Sequence, residues 1–367
     1  MNTVLKYEEQ AVFTLRSLYA KYGYTQYKMS KFEEYDLYVR NKDFLISDSV
    51  ITFTDTSGKL MALKPDVTLS ILKNGKDAPG CVQKVYYNEN VYRVSGSTHS
   101  FKEIMQVGLE CIGDIDGYCL YETLMLAAKS LLSISKNAVL DISHLGILGA
   151  VLDSLAVPAD KRDAILHCIG EKNMHELCTL CNAAGVDGDG TELLRQLVAL
   201  YGDPRTVLPK LNTLLCGKVD AALLGEFTDL LSALAESELG DILRIDFSVV
   251  HDIRYYNGIV FKGFIEDIPT GVLSGGQYDR LLQKMGRKAG AIGFAVYLDQ
   301  LERMQKPEKK YDADVLLLYG ADTDLCTLRA AVDKLTAEGK SVSAQKRVPE
   351  KGAFRETVRL SESEVSV

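Results

Sequence analysis

Apolar residues recur at helical spacing over residues 4–22 (Val4, Leu5, Val12, Phe13, Leu15, Leu18, Tyr19), and this period predicts a helix. The pattern then shortens into runs that predict strands: Phe44-Leu45-Ile46, Val50 to Phe53, Lys59 to Leu63, Lys84 to Tyr87, and Phe101 to Ile112. Turn formers such as Thr56-Ser57-Gly58 separate them. Tyr121 to Ser133 reads as a helix and Asn137 to Ile142 as a strand. From about Pro158 to Leu239 the chain is rich in Leu and Ala at three-to-four-residue spacing, which predicts a helical insertion, about 155–240. Strands return at Leu243 to Phe247 and Ile259 to Phe264. Ser274-Gly275-Gly276 reads as a turn, Tyr278 to Met285 as a helix, and Ala291 to Met304 as a strand running into a helix.

A polar break at Lys306 to Lys310 predicts a linker over 306–311, closing a core domain of residues 1–305. Beyond it, 312–367 reads as a small α/β unit. Asp314 to Tyr319 is a buried strand, Leu325 to Glu338 a helix ended by Gly339, and Ser341 to Ala344 a second strand. Glu350 to Val367 reads as a charged tail with little core, so the unit is expected to be truncated.

Composition narrows the class. The 367 residues are 47% apolar and 25% charged, a globular profile. No apolar run reaches the ~18–20 residues that span a bilayer, and residues 1–9 carry neither a signal core nor an Arg-rich transit pattern. Eight scattered Cys lack a disulfide framework. A reduced, cytoplasmic protein is expected, with no membrane partner. The net charge of −8 opposes a broad nucleic-acid surface, though a local basic patch could sit within it.

Four segments could carry chemistry: Leu63 to Thr68; Val91-Tyr92-Arg93 with Ile104 to Glu110; Val250 to Asn257; and Ser274 to Asp279 with Gly293 to Leu301. Gln106 and Glu110 are four apart in a predicted strand and so share a face. With Asp66, Thr68 and the pair Tyr255-Tyr256 they could form a pocket for an ammonium and an imidazole, acids pairing with the one and accepting from the other. From spacing alone, ordinary strand-edge polars and core tyrosines are the favoured reading of the same residues.

Taken together and in order, the four segments resemble the catalytic core of histidyl-tRNA synthetase, a class II aminoacyl-tRNA synthetase. Leu63 to Thr68 is similar to that family's Leu-Arg-Pro-Glu-Gly-Thr, Arg93 to Glu110 to motif 2, Tyr255-Tyr256-Asn257 with Val260-Phe261 to its histidine signature, and Gly275 to Leu301 to motif 3. The resemblance implies an α+β fold with an antiparallel sheet flanked by helices, a homodimer and a histidine pocket. It assigns Asp66, Thr68 and Gln106 to the histidine α-amino group. Glu110 and Tyr256 fall to the imidazole, with Tyr255 beside it, and Arg93 to the carboxylate or an α-phosphate.

The departures lie on the nucleotide side. Family arginines fall on His251 and Gln300, an acidic position on Ser95, and the Arg-rich loop of motif 2 is replaced by Ser95 to Lys102. Neither His nor Gln reproduces bidentate arginine, and losing one preorganised charge donor costs ~10²–10³ in rate. This pattern resembles the ATP phosphoribosyltransferase regulatory subunits, a family to which the segment Ile142 to Leu148 is loosely similar as well. That resemblance implies a non-catalytic chain, acting in the first step of histidine biosynthesis with a short-form catalytic subunit and with histidine as effector. It implies no catalytic residue, cofactor, metal or tRNA. The alternatives are an active histidyl-tRNA synthetase and a pseudo-synthetase regulating another process.

Other motifs read as structural. His175, Cys178 and Cys181 share a predicted helix without a second ligand pair. Gly185 to Gly190 follows a helix rather than a strand, Asp114 to Gly117 reads as a turn, and no acid orients His99.

Overall fold

The computed structural model describes residues 6–41, 50–75, 80–94, 100–250, 255–301 and 311–360. The expected strand at Phe44-Leu45-Ile46, the linker residues 306–310, and Ser95, His99 and His251 lie outside these. The chain divides into two compact units, Met1–Met304 and Gln305–Val367.

The larger unit opens with α1 (Tyr7–Lys21) and β1 (Thr25–Gln26). Next come β2 (Phe32–Glu34), α2 (Tyr35–Arg40), β3 (Thr52–Thr54), β4 (Leu60–Leu63) and α3 (Thr68–Asn74). Two long strands, β5 (Val82–Val94) and β6 (Phe101–Gly113), lead to α4 (Gly117–Ile134), β7 (Ala138–His144) and α5 (Leu145–Ser154). The predicted helical stretch contains α6 (Ala159–Gly170), α7 (Met174–Ala183), α8 (Gly188–Ala199), α9 (Pro204–Leu215) and α10 (Ala221–Ala235), with a short strand β8 (Tyr201–Gly202) between α8 and α9. Last are β9 (Leu243–Asp246), β10 (Ile259–Ile265), β11 (Leu273–Gln277), α11 (Asp279–Lys284), β12 (Gly290–Tyr297) and α12 (Leu298–Leu301). Asp114 to Gly117 and Gly185 to Gly190, both set aside as structural, lead into helices. Asp116 Oδ1 accepts from the Cys119 N–H (2.9 Å) at α4, and Asp187 Oδ1 from the Gly190 N–H (2.7 Å) at α8.

Nine strands form the main sheet in the order β1-β5-β6-β12-β11-β10-β7-β9-β8. The sheet is largely antiparallel, as expected, with two parallel pairs. β1 runs parallel to β5 and β7 parallel to β9, while the other pairs are antiparallel. The reason is connectivity. The helical stretch carries the chain from β7 back to the same edge before β9 begins, and a crossover of that length delivers a parallel strand.

Strand alternation gives the sheet two faces. Val107, Leu109 and Cys111 of β6 and Ile292, Phe294 and Val296 of β12 join one large core with residues of α1, α4 and the helical stretch. Tyr19 of α1 meets Phe294 edge-on at 6.0 Å. The opposite face packs under α3, α11 and Tyr255-Tyr256, where Val85, Tyr87, Ile112 and Ala291 meet Leu69, Leu72, Leu281 and Tyr278. Ser274-Gly275-Gly276, expected as a turn, lies within β11. A Cβ on Gly275 would stand 2.4 Å from the Gly293 carbonyl oxygen, so glycine marks close strand packing here.

The smaller unit has β13 (Ala313–Leu318), α13 (Leu325–Ala337), β14 (Val342–Gln345) and β15 (Phe354–Arg359), with sheet order β14-β13-β15 and both pairs parallel. β15 is a strand that was not expected within the charged tail of little core. Its side chains are mostly exposed, so backbone pairing to β13 rather than apolar content holds it. Among the described residues no helix is long and apolar enough to cross a membrane.

One buried ion pair ties the β2-β4-β3 sheet to the main one. The Lys64 side chain is fully buried, its Nζ 3.0 Å from Glu89 Oε2 on β5. Removing one partner strands a buried charge, whereas replacing both with apolar residues does not. In denaturant unfolding, Glu89→Leu is therefore expected to cost about 3 kcal/mol. The Lys64→Met/Glu89→Leu double variant is expected to recover most of that loss. Equal losses in the two would show that the ion pair is not what couples the sheets.

Candidate active-site cavity

Asp66, Thr68, Arg93, Gln106, Glu110, Tyr255 and Tyr256, which lie far apart in the sequence, line one cavity on the second face of the main sheet. Its empty space, mouth included, is about 400 Å³. Val67, Tyr87, Ser274, Tyr278, Gly293, Phe294, Ala295 and Tyr297 complete the lining.

The floor follows from strand register. Glu110, Gly293 and Gly276 stand side by side on β6, β12 and β11. One pleat along, Gly108, Ala295 and Ser274 form a second row, and one further Gln106 pairs with Tyr297. Two residues of strand, ~7 Å, separate successive rows.

Glu110 is the centre of the polar network. Its Oε1 accepts a hydrogen bond from Thr68 Oγ1 (2.7 Å) at the start of α3, and its Oε2 accepts from the Tyr278 hydroxyl (2.5 Å). A Cβ on Gly293 would fall 1.8 Å from Glu110 Oε2, so glycine at this point is what makes room for the carboxylate. Burial pushes the Glu110 pKa up to about 8, against the two hydroxyl bonds that hold it down, and the nearby Asp66 charge adds to the rise.

Asp66 is buried too. Its Oδ1 accepts from the Leu69 N–H (2.9 Å), which fixes it at the α3 N-terminus. Burial raises its pKa, and that backbone bond and the Arg93 charge pull it back. Arg93 Nε donates to the Pro65 carbonyl (3.1 Å), so the guanidinium is held beside the Asp66 segment. Tyr255 packs edge-on against Tyr256 at 4.8 Å and tilted against Tyr278 at 5.4 Å. Burial, with the two acids next in effect, holds the Tyr255 phenol well above its usual pKa, so it stays a protonated donor.

Gln300 stands apart. It sits on α12, accepts from Thr270 Oγ1 (3.0 Å), donates to Asp299 Oδ2 (2.8 Å), and is not among the cavity-lining residues. Tyr87, Tyr278 and Tyr297 were not singled out from sequence as site residues. Tyr297 shares the period-two face of Gly293 and Ala295, which was a usable signal. Tyr278 lies two residues after the glycine pair, and Tyr87 offered no signal beyond its strand.

The raised Glu110 pKa links stability to pH. The carboxyl ionises near 4.5 when exposed and near 8 when folded, so the folded state binds the extra proton between those values. Stability from this group is fully present below pH 4.5 and declines as pH rises to 8. In Glu110→Gln the decline should be absent, so the variant's advantage in unfolding free energy should grow to a few kcal/mol by pH 8. A difference independent of pH would contradict the assignment.

A model of the histidyl-tRNA synthetase family matches residues 3–301. The ATP phosphoribosyltransferase regulatory subunit of Oceanobacillus iheyensis is 26% identical over 312 residues, which cover 83% of this chain and 76% of that one. A crystal structure of an ATP phosphoribosyltransferase regulatory subunit/histidyl-tRNA synthetase from Bacillus halodurans superposes with TM-score 0.78 at 22% identity, covering 98% of this chain and 96% of that one. A chain of the ATP phosphoribosyl transferase (HisG:HisZ) complex from Thermotoga maritima superposes with TM-score 0.63 at 20% identity, covering 80% and 98%. The structural likenesses concern the fold, which is α+β and of the class II synthetase type. With the family model spanning most of its length, this chain belongs to the histidyl-tRNA synthetase family.

Proposed function

We propose that this chain is the non-catalytic regulatory subunit of an ATP phosphoribosyltransferase, acting in the first step of histidine biosynthesis and binding histidine as effector in the cavity around Glu110. The curated relatives matched over most of the chain carry the regulatory-subunit name. The observation that carries the histidine assignment is the placement of two buried acids, Glu110 and Asp66, in one small cavity with a single arginine and adjoining tyrosine rings.

That charge balance suits a zwitterion with an attached imidazole. Asp66, Thr68 and Gln106 take the α-ammonium, and Arg93 takes the carboxylate. Glu110 accepts from the imidazole N–H with Tyr256 alongside, and Tyr255 closes the ring's side. The same balance suits a triphosphate poorly. Among the described lining residues Arg93 is the lone Lys or Arg, and adenylate chemistry needs several cations around the phosphates. Ser95, His251 and Gln300, at positions where the synthetases carry an acid and two arginines, support the loss of that chemistry. The partner in this reading is the short-form catalytic phosphoribosyltransferase, with this chain as a homodimer that does not bind tRNA.

The test uses the purified chain with and without the short-form catalytic chain. Phosphoribosyl transfer to ATP should need both chains and fall with added histidine. Glu110→Ala should blunt that inhibition by at least about tenfold in histidine concentration, as expected when a buried acceptor for a ligand N–H is lost. Histidine-dependent ATP–pyrophosphate exchange by the chain alone would instead establish a working synthetase.

A further inference from the structure

Asp279, the first residue of α11, does not line the cavity, yet its carboxylate ties together the elements that carry three of the lining tyrosines. Its Oδ1 accepts from the Ala291 N–H of β12 (2.9 Å). The Tyr278 N–H donates to the Ala291 carbonyl (2.9 Å). These two bonds carry the β11–β12 pairing one step past Gln277, where the strand register ends. They fix the backbone of Tyr278, and with it the hydroxyl that reaches Glu110.

The second oxygen works on a different segment. Asp279 Oδ2 accepts from Gln277 Nε2 (2.7 Å) and, at longer range, from Asn257 Nδ2 (3.4 Å). The Gln277 amide so held lies over Gly258, where a Cβ would stand 2.1 Å from Gln277 Oε1. The Asn257 N–H donates to the Gln277 carbonyl (2.9 Å). Gln277 thus grips the chain directly after Tyr255-Tyr256 through both its main chain and its side chain. Tyr255 to Gly258 belong to no helix or strand, so such contacts are needed to set where the two rings sit. A carboxylate suits this post because both its oxygens only accept, and it can serve several donors at once.

We propose that Asp279 is a positioning residue for the histidine site: one carboxylate outside the cavity registers both the Tyr278 hydroxyl that Glu110 relies on and the Tyr255-Tyr256 pair. This rests on the histidine reading given above. The two arms are separable, since Oδ1 acts toward Glu110 and Oδ2 toward the tyrosine pair.

The experiment measures histidine binding to the full chain by calorimetry at about pH 7 and pH 9, for the wild type, Asp279→Ala and Gln277→Met. The titrations of the ligand itself are common to all three and cancel in the ratios. Thr68, Asp66, Tyr87, Tyr255 and Tyr278 face Glu110, and none of them is altered. The Tyr278 bond holds the Glu110 pKa down, so loosening it makes ionised Glu110 harder to reach at pH 7 and matters less at pH 9. Asp279→Ala should therefore bind histidine at least about tenfold more weakly at pH 7, and that deficit should shrink by about twofold or more at pH 9. Gln277→Met keeps the bulk and the Oδ1 arm, so it should show a deficit of about threefold that is the same at both pH values. A wild type that binds histidine, with a folded Asp279→Ala that binds equally well or whose deficit does not change with pH, overturns the positioning role and leaves the pocket reading standing. If thermal melts show that Asp279→Ala does not fold, Gln277→Met decides, and wild-type affinity in it overturns the role. A wild type that does not bind histidine overturns both.

Discussion

The site depends on one costly placement, a carboxyl buried in the middle of a nine-stranded sheet. A carboxylate deprived of water needs donors, and Glu110 gets them from two elements that do not belong to its own strand. Thr68 reaches it from the start of α3, and Tyr278 from the junction of β11 and α11. A third strand contributes by absence, since Gly293 leaves the space that the carboxyl fills. Four pieces of chain are therefore registered on a single side chain. The residual cost shows in the titration: even with both hydroxyl bonds the group holds its proton to about pH 8. A site that has not fully compensated its own acid is poised to gain from a ligand that brings the missing N–H or positive charge.

The two faces of the sheet divide the work. One face is a large apolar core with the helices, and none of the polar groups of the candidate site belongs to it. The other holds the cavity under smaller elements: a seven-residue helix, a six-residue helix and the Tyr255-Tyr256 segment. Rigidity of the first face lets the second keep buried acids at fixed separations. The buried Lys64–Glu89 pair plays the same part at the margin, holding the segment before Asp66 against β5.

Much of this was legible in the residues. The period-two spacing of Gln106 and Glu110 predicted a shared face, and both side chains line the cavity. The run Phe101 to Ile112 predicted nearly all of β6, Lys84 to Tyr87 predicted only the start of β5, and the Leu- and Ala-rich texture predicted the run of helices. What escaped has physical reasons. A glycine pair looks like a turn in isolation, and only the crowding of neighbouring strands makes it a strand. β15 lacks an apolar pattern because its hold on β13 is through the backbone. The parallel pairs of the main sheet arise from where a long connection returns, which local periodicity does not encode. Tyr278 and Tyr297 act through a hydroxyl aimed at a residue distant in sequence, and spacing alone does not reveal such an aim.

The central claim is that histidine enters this cavity and engages an ionised Glu110. It is tested most directly by calorimetric titration with histidine at pH 7 in two buffers of unlike ionisation enthalpy. At that pH the free chain holds a proton on Glu110. Binding should expel close to about one proton, seen as a buffer-dependent heat, and Glu110→Gln should lose that dependence. No binding heat in either buffer, or the same proton count in wild type and Glu110→Gln, would contradict it.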